Sequence, residues 1–323
     1  MPTPRVVILC PKEFTFSDPA ASVEREVLAG AAEVRTIALD FHDPIPAAAL
    51  AAEALILWHN IPVNATVIAA LKNCRALIRN GTGFDSVDAV AAGKRGIPVC
   101  NVPDYGTEEV ADHALALALA LCRQLFPLDA EAKRLGWQIN VADKMRRLRG
   151  RVFGIVGLGR IGTATALRAK AFGFRVMFFD PYLAPGVHKA LGVERAGTLA
   201  ELLEAADIVS VHCPLTAETR GMIGAREMAR MKPSAFLVNT ARGDIVQKAP
   251  VLAALREKRL AGAGLDVVEN EPLRSAEEAA TPNLIVTCHA AFCSPEGMIE
   301  MRTTSAKIAR AAVLGQPVWN RVN

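Results

Sequence analysis

An α/β fold with two parallel-sheet domains follows from three features of this 323-residue sequence. Short apolar runs alternate with alanine-rich stretches of helical period, the pattern of βαβ units covered on both faces. A polar segment at 124–149 interrupts the alternation, which starts again at Arg151. Within the second series, Gly157-Leu158-Gly159-Arg160-Ile161-Gly162 joins a strand-like run to a helix-like one.

Taken in order, Val6–Cys10 reads as a strand, 20–32 as a helix and Glu33–Leu39 as a strand. Strands follow at 54–58, 76–79 and 98–101, with helices at 64–72 and 87–93 between them. A long helix starts near Thr107, where Thr107-Glu108-Glu109 offers a capping oxygen and then acids that suit the helix dipole. It runs to about Arg123, and Gln124–Arg149 reads as an irregular connector. The second series has strands at 152–156, 175–179, 208–213, 235–239, 262–266 and 284–287. Helices at 160–172, 199–205 and 250–257 lie between them, and a last helix covers 295–314.

Composition narrows the function classes. Half the residues are apolar (51%) and the formal charge is only +4, so nothing points to nucleic acid. The densest basic run, Lys144-Met145-Arg146-Arg147-Leu148-Arg149-Gly150-Arg151, reads as a solvated entry into a strand. No uninterrupted apolar stretch approaches the ~18 residues of a membrane span. The start, Met1-Pro2-Thr3-Pro4-Arg5, leads into too short an apolar run for a signal peptide. Seven cysteines are scattered without CxxC spacing, which reads as reduced thiols of a cytoplasmic protein.

The glycine turn carries the first chemical expectation. It follows the strand Val152-Phe153-Gly154-Ile155-Val156, opens a helix, and has Asp180 at the end of the next strand, the context of a Rossmann-like dinucleotide site. Gly157 permits the tight turn, Gly159 lets backbone approach the pyrophosphate, and Gly162 allows close helix–strand packing. The Arg160 and Ile161 amides face the phosphates. Asp180 accepts from the adenosine ribose hydroxyls, and its charge repels a 2′-phosphate. No arginine follows, only Pro181 and Tyr182, so the expected cofactor is NAD rather than NADP.

Three polar runs sit at later strand ends, where open α/β sheets place their chemistry. They are Asn239-Thr240-Ala241-Arg242-Gly243, Asp266 to Pro272, and Thr287-Cys288-His289-Ala290-Ala291. A guanidinium, a carboxylate and an imidazole are what carbonyl reduction beside a carboxylate requires. Singly, each has a plainer reading: a surface Arg, a loop Glu before Pro, a structural His. Cys288, His289 and Cys293 lack zinc-ligand spacing, so no metal is expected.

From Gly81 onward the chain resembles the D-isomer-specific 2-hydroxyacid dehydrogenases, and within them the C-terminal-binding-protein (CtBP-like) branch. The strings that carry the likeness are Leu167 to Phe174 with Phe179-Asp180-Pro181-Tyr182, Phe236 to Gly243, and Ile299-Glu300-Met301-Arg302. The resemblance implies that Arg242, Glu271 and His289 are catalytic. His289 exchanges the hydroxyl proton, Glu271 orients it, and Arg242 grips the carboxylate of a small 2-keto or 2-hydroxy acid. It implies further cofactor contacts from Cys213, Pro214, Thr219, Thr240, Ala241 and Asp266. Substrate contacts are implied for Arg79, Thr82, Gly83 and Phe292. Two departures stand out: Cys288 replaces the usual proline before the histidine, and Phe292 replaces a tryptophan of the branch.

The same likeness implies two Rossmann-like domains, with a discontinuous substrate domain at 1–104 and 293–323 and an NAD-binding domain at 105–292. Hinges are expected near Pro103–Thr107 and Phe292–Pro295, and a homodimer built on Gln124–Arg149. Two functions compete: a dehydrogenase, and an NAD-sensing regulatory protein with little turnover. The sparse residues outside the outermost elements and the intact Arg242, Glu271 and His289 favour the enzyme.

Overall fold

The computed structural model describes residues 3, 5–12, 20–40, 43–59, 61–142 and 145–323. Met1, Pro2 and Pro4 of the start and Lys144 of the basic run lie outside these. The chain divides into two compact units, Met1–Gly106 with Ser294–Asn323, and Thr107–Cys293.

The first unit opens with β1 (Arg5–Pro11), α1 (Ser22–Leu28), β2 (Glu33–Leu39), α2 (Ala47–Leu50) and β3 (Ala54–Leu57). It continues with α3 (Ala65–Ala70), β4 (Ala76–Arg79), α4 (Ala89–Lys94) and β5 (Val99–Cys100). Its five strands are parallel in the order β2-β1-β3-β4-β5. Val7, Leu9, Leu55, Leu57 and Leu77 form the core of one face. Asn64 and Asp88 cap α3 and α4 by accepting from Val67 N and Ala91 N. The expected helix over 20–32 is shorter because Ala21 adopts positive φ before it and the backbone turns extended at Ala29.

The second unit contains α5 (Thr107–Arg123), α6 (Leu125–Lys133), β6 (Val152–Val156), α7 (Arg160–Ala171), β7 (Arg175–Phe179), α8 (Val187–Leu191) and β8 (Glu194–Arg195). Next come α9 (Leu199–Ala205), β9 (Ile208–Val211), α10 (Ala225–Met228), β10 (Phe236–Asn239), α11 (Lys248–Arg256), β11 (Gly262–Leu265), α12 (Ala276–Ala279) and β12 (Leu284–Val286). The seven strands run parallel in the order β12-β11-β10-β9-β6-β7-β8. Strand β6 shows how period-two alternation feeds both faces. Val152 and Val156 join a cluster with Leu202 of α9 and Val251 of α11, whereas Phe153 and Ile155 join Leu117 of α5 and Ala166 of α7. Burying a side chain such as Phe153 contributes about 1.5–3 kcal/mol.

The connector departs from expectation. Gln124 at φ 53 ends α5, and the chain restarts at once as α6, followed by a 3-10 turn at Ile139–Ala142. Pro127 falls in the first turn of α6, where its missing N–H costs nothing. The stretch read as irregular thus holds a helix, one that buries none of its residues.

The chain returns to the first unit through α13 (Pro295–Val313), capped by Ser294, whose hydroxyl accepts from Gly297 N at 2.9 Å. Two buried links fasten it there. Arg302 forks onto Glu24 of α1 (Nε to Oε1 2.8 Å, Nη2 to Oε2 2.5 Å), and Ser305 donates to Asn80 Oδ1 at 2.7 Å.

Candidate active site

The carboxyl ends of the second unit's strands form one line of loops. The sheet order puts the turn after β6 beside those after β7 and β9, and the loops after β10, β11 and β12 beside one another. This reversal of strand order between β6 and β9 is where open sheets take ligands.

The glycine turn leaves backbone open at the start of α7. Gly157 has φ +90, and a Cβ there would lie 2.8 Å from Cys213 N, so the turn lies against the Cys213 backbone. A Cβ at Gly162 would strike the Gly157 carbonyl oxygen, whereas one at Gly159 would meet nothing within 4 Å. The turn is therefore crowded within and open at Gly159. Helix α7 has Gly159 as N-cap and no side-chain cap, while Thr198 caps α9 and Ser275 caps α12. Its first amides, Arg160 and Ile161 included, precede the point where intrahelical bonding begins and suit an anion.

Asp180 closes the far side. Its Oδ2 accepts from Leu158 N at 2.9 Å, and its Oδ1 accepts from Tyr182 N and Leu183 N at 3.0 and 3.1 Å. Across the turn, burial pushes the Cys213 thiol up to about 11, so it stays protonated. Pro214 O accepts from Thr219 Oγ1 at 2.7 Å, and the same hydroxyl accepts from Thr216 N at 2.8 Å. In this structure the Thr219 hydroxyl holds its own turn. Burial also pushes His212 down to about 3; Ser210 Oγ lies 2.8 Å from its Nε2.

Arg242 follows β10. Buried Asn239 fixes its loop by donating to Arg242 O at 2.9 Å and accepting from Ala241 N at 3.0 Å. The Arg242 guanidinium donates through Nη1 to Ala241 O at 2.8 Å. Thr240 Oγ1 is buried without a protein partner among the described residues.

Asp266 follows β11, is 2% exposed, and accepts three hydrogen bonds from one loop. Thr287 Oγ1 and Ala290 N donate to its Oδ1 at 2.5 and 2.9 Å, and Ala291 N donates to its Oδ2 at 3.0 Å. A carboxylate offers about four acceptor positions, which leaves room for one more donor. His289 follows β12 at φ +51, its amide donating to Asp266 O at 2.8 Å. His289 Nδ1 lies 3.2 Å from Glu271 Oε2, so imidazole and carboxylate meet. Phe292 stands edge-on to His289, ring centroids 6.2 Å apart. Among the described residues no cluster could hold a metal ion.

The remaining substrate candidates lie in the first unit. Arg79 ends β4, and its Nη1 donates to Asn80 O. Gly81 stands at φ +139, a conformation that side-chain-bearing residues rarely adopt, and the Arg79 guanidinium lies over its Cα. The Thr82 carbonyl accepts from Asn101 Nδ2 at 2.7 Å, and its hydroxyl donates to Val102 O at 3.2 Å. The Thr82 and Gly83 amides donate to no acceptor among the described residues. Sequence reasoning gave no role to Asn239, Thr287 or His212: Asn239 and His212 act on neighbours two or three residues away, and only the Thr287 contact with Asp266 depends on β11 and β12 being adjacent.

These features fit a nicotinamide dinucleotide: an open glycine cradle, a carboxylate at the next strand end, and an orphan Thr240 hydroxyl. Residues 115–291 match the family described as D-isomer specific 2-hydroxyacid dehydrogenase, NAD binding domain. The chain is 39% identical over 275 residues to a glyoxylate reductase of Korarchaeum cryptofilum, covering 84% of this chain and 82% of that protein. It is 36% identical over 291 residues to a D-3-phosphoglycerate dehydrogenase of Mycobacterium bovis, covering 90% of this chain but only 55% of that protein. Among solved structures, an NADPH-dependent glyoxylate/hydroxypyruvate reductase of Sinorhizobium meliloti, in complex with NADP and malonate, matches with TM-score 0.84 and 29% identity. That match covers 99% of this chain and 97% of the other. The chain belongs to the D-isomer specific 2-hydroxyacid dehydrogenase family, and it is an NAD-dependent oxidoreductase.

Proposed function

We propose that the protein reduces a small 2-keto acid of the glyoxylate class to its 2-hydroxy acid, with NADH preferred over NADPH. The observation that carries this reading is the 3.2 Å contact of His289 Nδ1 with Glu271 Oε2, at a strand end in the same row as Arg242.

NADH, when bound, supplies the hydride that reaches the carbonyl carbon. Gly157, Gly159, Arg160, Ile161 and Gly162 hold the pyrophosphate, and Asp180 accepts from the ribose. Cys213, Pro214, Thr219, Thr240, Ala241 and Asp266 line the remainder. Glu271 accepts from Nδ1 of His289, which leaves Nε2 to give its proton to the carbonyl oxygen as that oxygen gains charge. Arg242 binds the substrate carboxylate and draws charge from the adjacent carbonyl. In the first unit, Arg79 and the Thr82 and Gly83 amides suit a substrate carboxylate, and in the second Phe292 supplies an apolar wall that limits side-chain size. The Asp180 charge, held in place by three backbone amides, disfavours a 2′-phosphate.

The protein acts as a homodimer in the cytoplasm on this reading. Support comes from exposed apolar side chains on 125–141 and from seven unpaired cysteines.

The test is oxidation of NADH and NADPH against glyoxylate, hydroxypyruvate, phenylpyruvate and a methylthio-keto acid, with His289→Ala as control. The expected result is turnover on at least one acid, with kcat/KM for NADH about tenfold or more above NADPH. His289→Ala should lose about a hundredfold or more in kcat. No turnover on any of the four acids would overturn the reading.

A further inference from the structure

The loop that carries His289 is held from a helix that the mechanism above does not use. His113 lies in α5, with Nε2 3.0 Å from Thr287 Oγ1 and 3.8 Å from Asp266 Oδ1. A threonine hydroxyl has one proton. Thr287 gives that proton to Asp266 Oδ1 at 2.5 Å, so its oxygen accepts from His113. His113 therefore carries a proton on Nε2 and begins a directed chain, His113 to Thr287 to Asp266.

Asp266 is where the chain has its effect. Its carboxylate also gathers Ala290 N and Ala291 N, and its backbone oxygen takes His289 N. Residues on both sides of His289, and His289 itself, are tied to this one aspartate. The tie is needed because His289 stands at φ +51, a conformation that costs a non-glycine residue roughly 1 kcal/mol or more. Helix α5 begins at Thr107, the first residue of the second unit, and the His289 loop ends at Cys293, its last. The two segments through which the chain enters and leaves this unit are thus joined at Asp266. Leu117 and Leu121, farther along α5, pack on Gly264 and Gly262 of β11 and fix the helix against the strand that ends in Asp266.

We infer that His113 is a positioning residue for the reaction: by donating to Thr287 it holds the Asp266 clamp that sets the backbone and reach of His289. This rests on His289 being the proton donor. Loss of His113 leaves in place the glycine cradle, Arg242 and the Asp266 carboxylate, which Ala290 N and Ala291 N still hold, and loosens the His289 loop at Thr287. The transition state should therefore suffer and ground-state binding should not.

The test uses the full-length protein and compares His113→Phe, which keeps a ring but no donor, with His113→Gln, which restores an N–H donor. Thr287→Val, the double variant His113→Phe/Thr287→Val, and His289→Ala complete the set. The readouts are kcat and KM for the keto acid, the Kd of NADH by fluorescence, and Tm. We expect His113→Phe and Thr287→Val each to lower kcat about tenfold or more, since a misplacement of about 1 Å can cost a hundredfold. KM and the NADH Kd should stay within about twofold, His113→Gln should recover most of the loss, and the double variant should be no worse than the poorer single one. Thr287→Val is nearly isosteric and carries the test independently if His113→Phe lowers Tm. Wild-type kcat in His113→Phe, a loss confined to NADH affinity, no recovery with Gln, or multiplying losses would each overturn the inference. Undiminished turnover in His289→Ala would overturn the acid assignment itself, and that outcome is separable from the others.

Discussion

At the scale of single residues, the site is a set of side chains spent on holding backbone. Asn239 holds the Arg242 loop and Asp266 holds the His289 loop; Asp180 braces the glycine turn through Leu158 N. His212 has a different part, because its burial makes it a stability sensor. Its pKa in the folded protein is about 3, below the ordinary value of 6.5. Between those values the unfolded chain binds a proton that the folded one does not. The contribution is therefore complete above about pH 6.5 and is lost as pH falls toward the folded value. At about pH 5 the loss amounts to roughly 2 kcal/mol. Chemical denaturation of the cofactor-free protein from neutral pH to about pH 5 should show a steeper fall for wild type than for His212→Gln. Parallel curves for the two proteins would refute the assignment.

Secondary-structure elements show what a sequence can display. The inner strands were legible because parallel strands buried on both faces are unbroken apolar runs, as in Leu55-Ile56-Leu57 and Leu77-Ile78, whereas the two-residue edge strand β8 (Glu194–Arg195) has no apolar run and was not foreseen. The glycine turn was legible because its three glycines keep a fixed spacing between a strand and a helix; Gly157 and Gly162 answer local crowding, and Gly159 leaves the turn open. Helices α8 and α10 were not, since spans of a turn or so have no period to read. Glu271 and His289 could be joined only by resemblance, because their meeting depends on β11 and β12 being neighbours. Glu24 gave no sign of its burial, yet it is 1% exposed and paired with Arg302 of α13. Arg302→Met should strand that carboxylate and destabilise the first unit by about 3–5 kcal/mol in urea unfolding. Adding Glu24→Gln should restore a large part of the loss. A single variant as stable as wild type would show that the pair does not hold α13.

For the whole molecule, the exposed apolar residues are concentrated outside the site. Leu135 is 97% exposed, Trp137 91% and Ile139 74%, all on the segment that follows α6. Exposed clusters of this kind mark association surfaces. Under the proposed dimer, sedimentation should give twice the 34.5 kDa chain mass, and Trp137→Glu with Leu135→Glu should shift the population toward single chains. A wild-type mass equal to one chain would contradict the proposal.

The return of α13 to the first unit bears on how the protein is made. On the ribosome, 5–100 emerges early, but the helix that pairs with Glu24 and Asn80 is translated only after all of the second unit. The second unit is contiguous and is the first that can reach its native state during synthesis. The earlier-made strands must wait with an apolar face uncovered, and that interval is when a nascent chain most needs a chaperone.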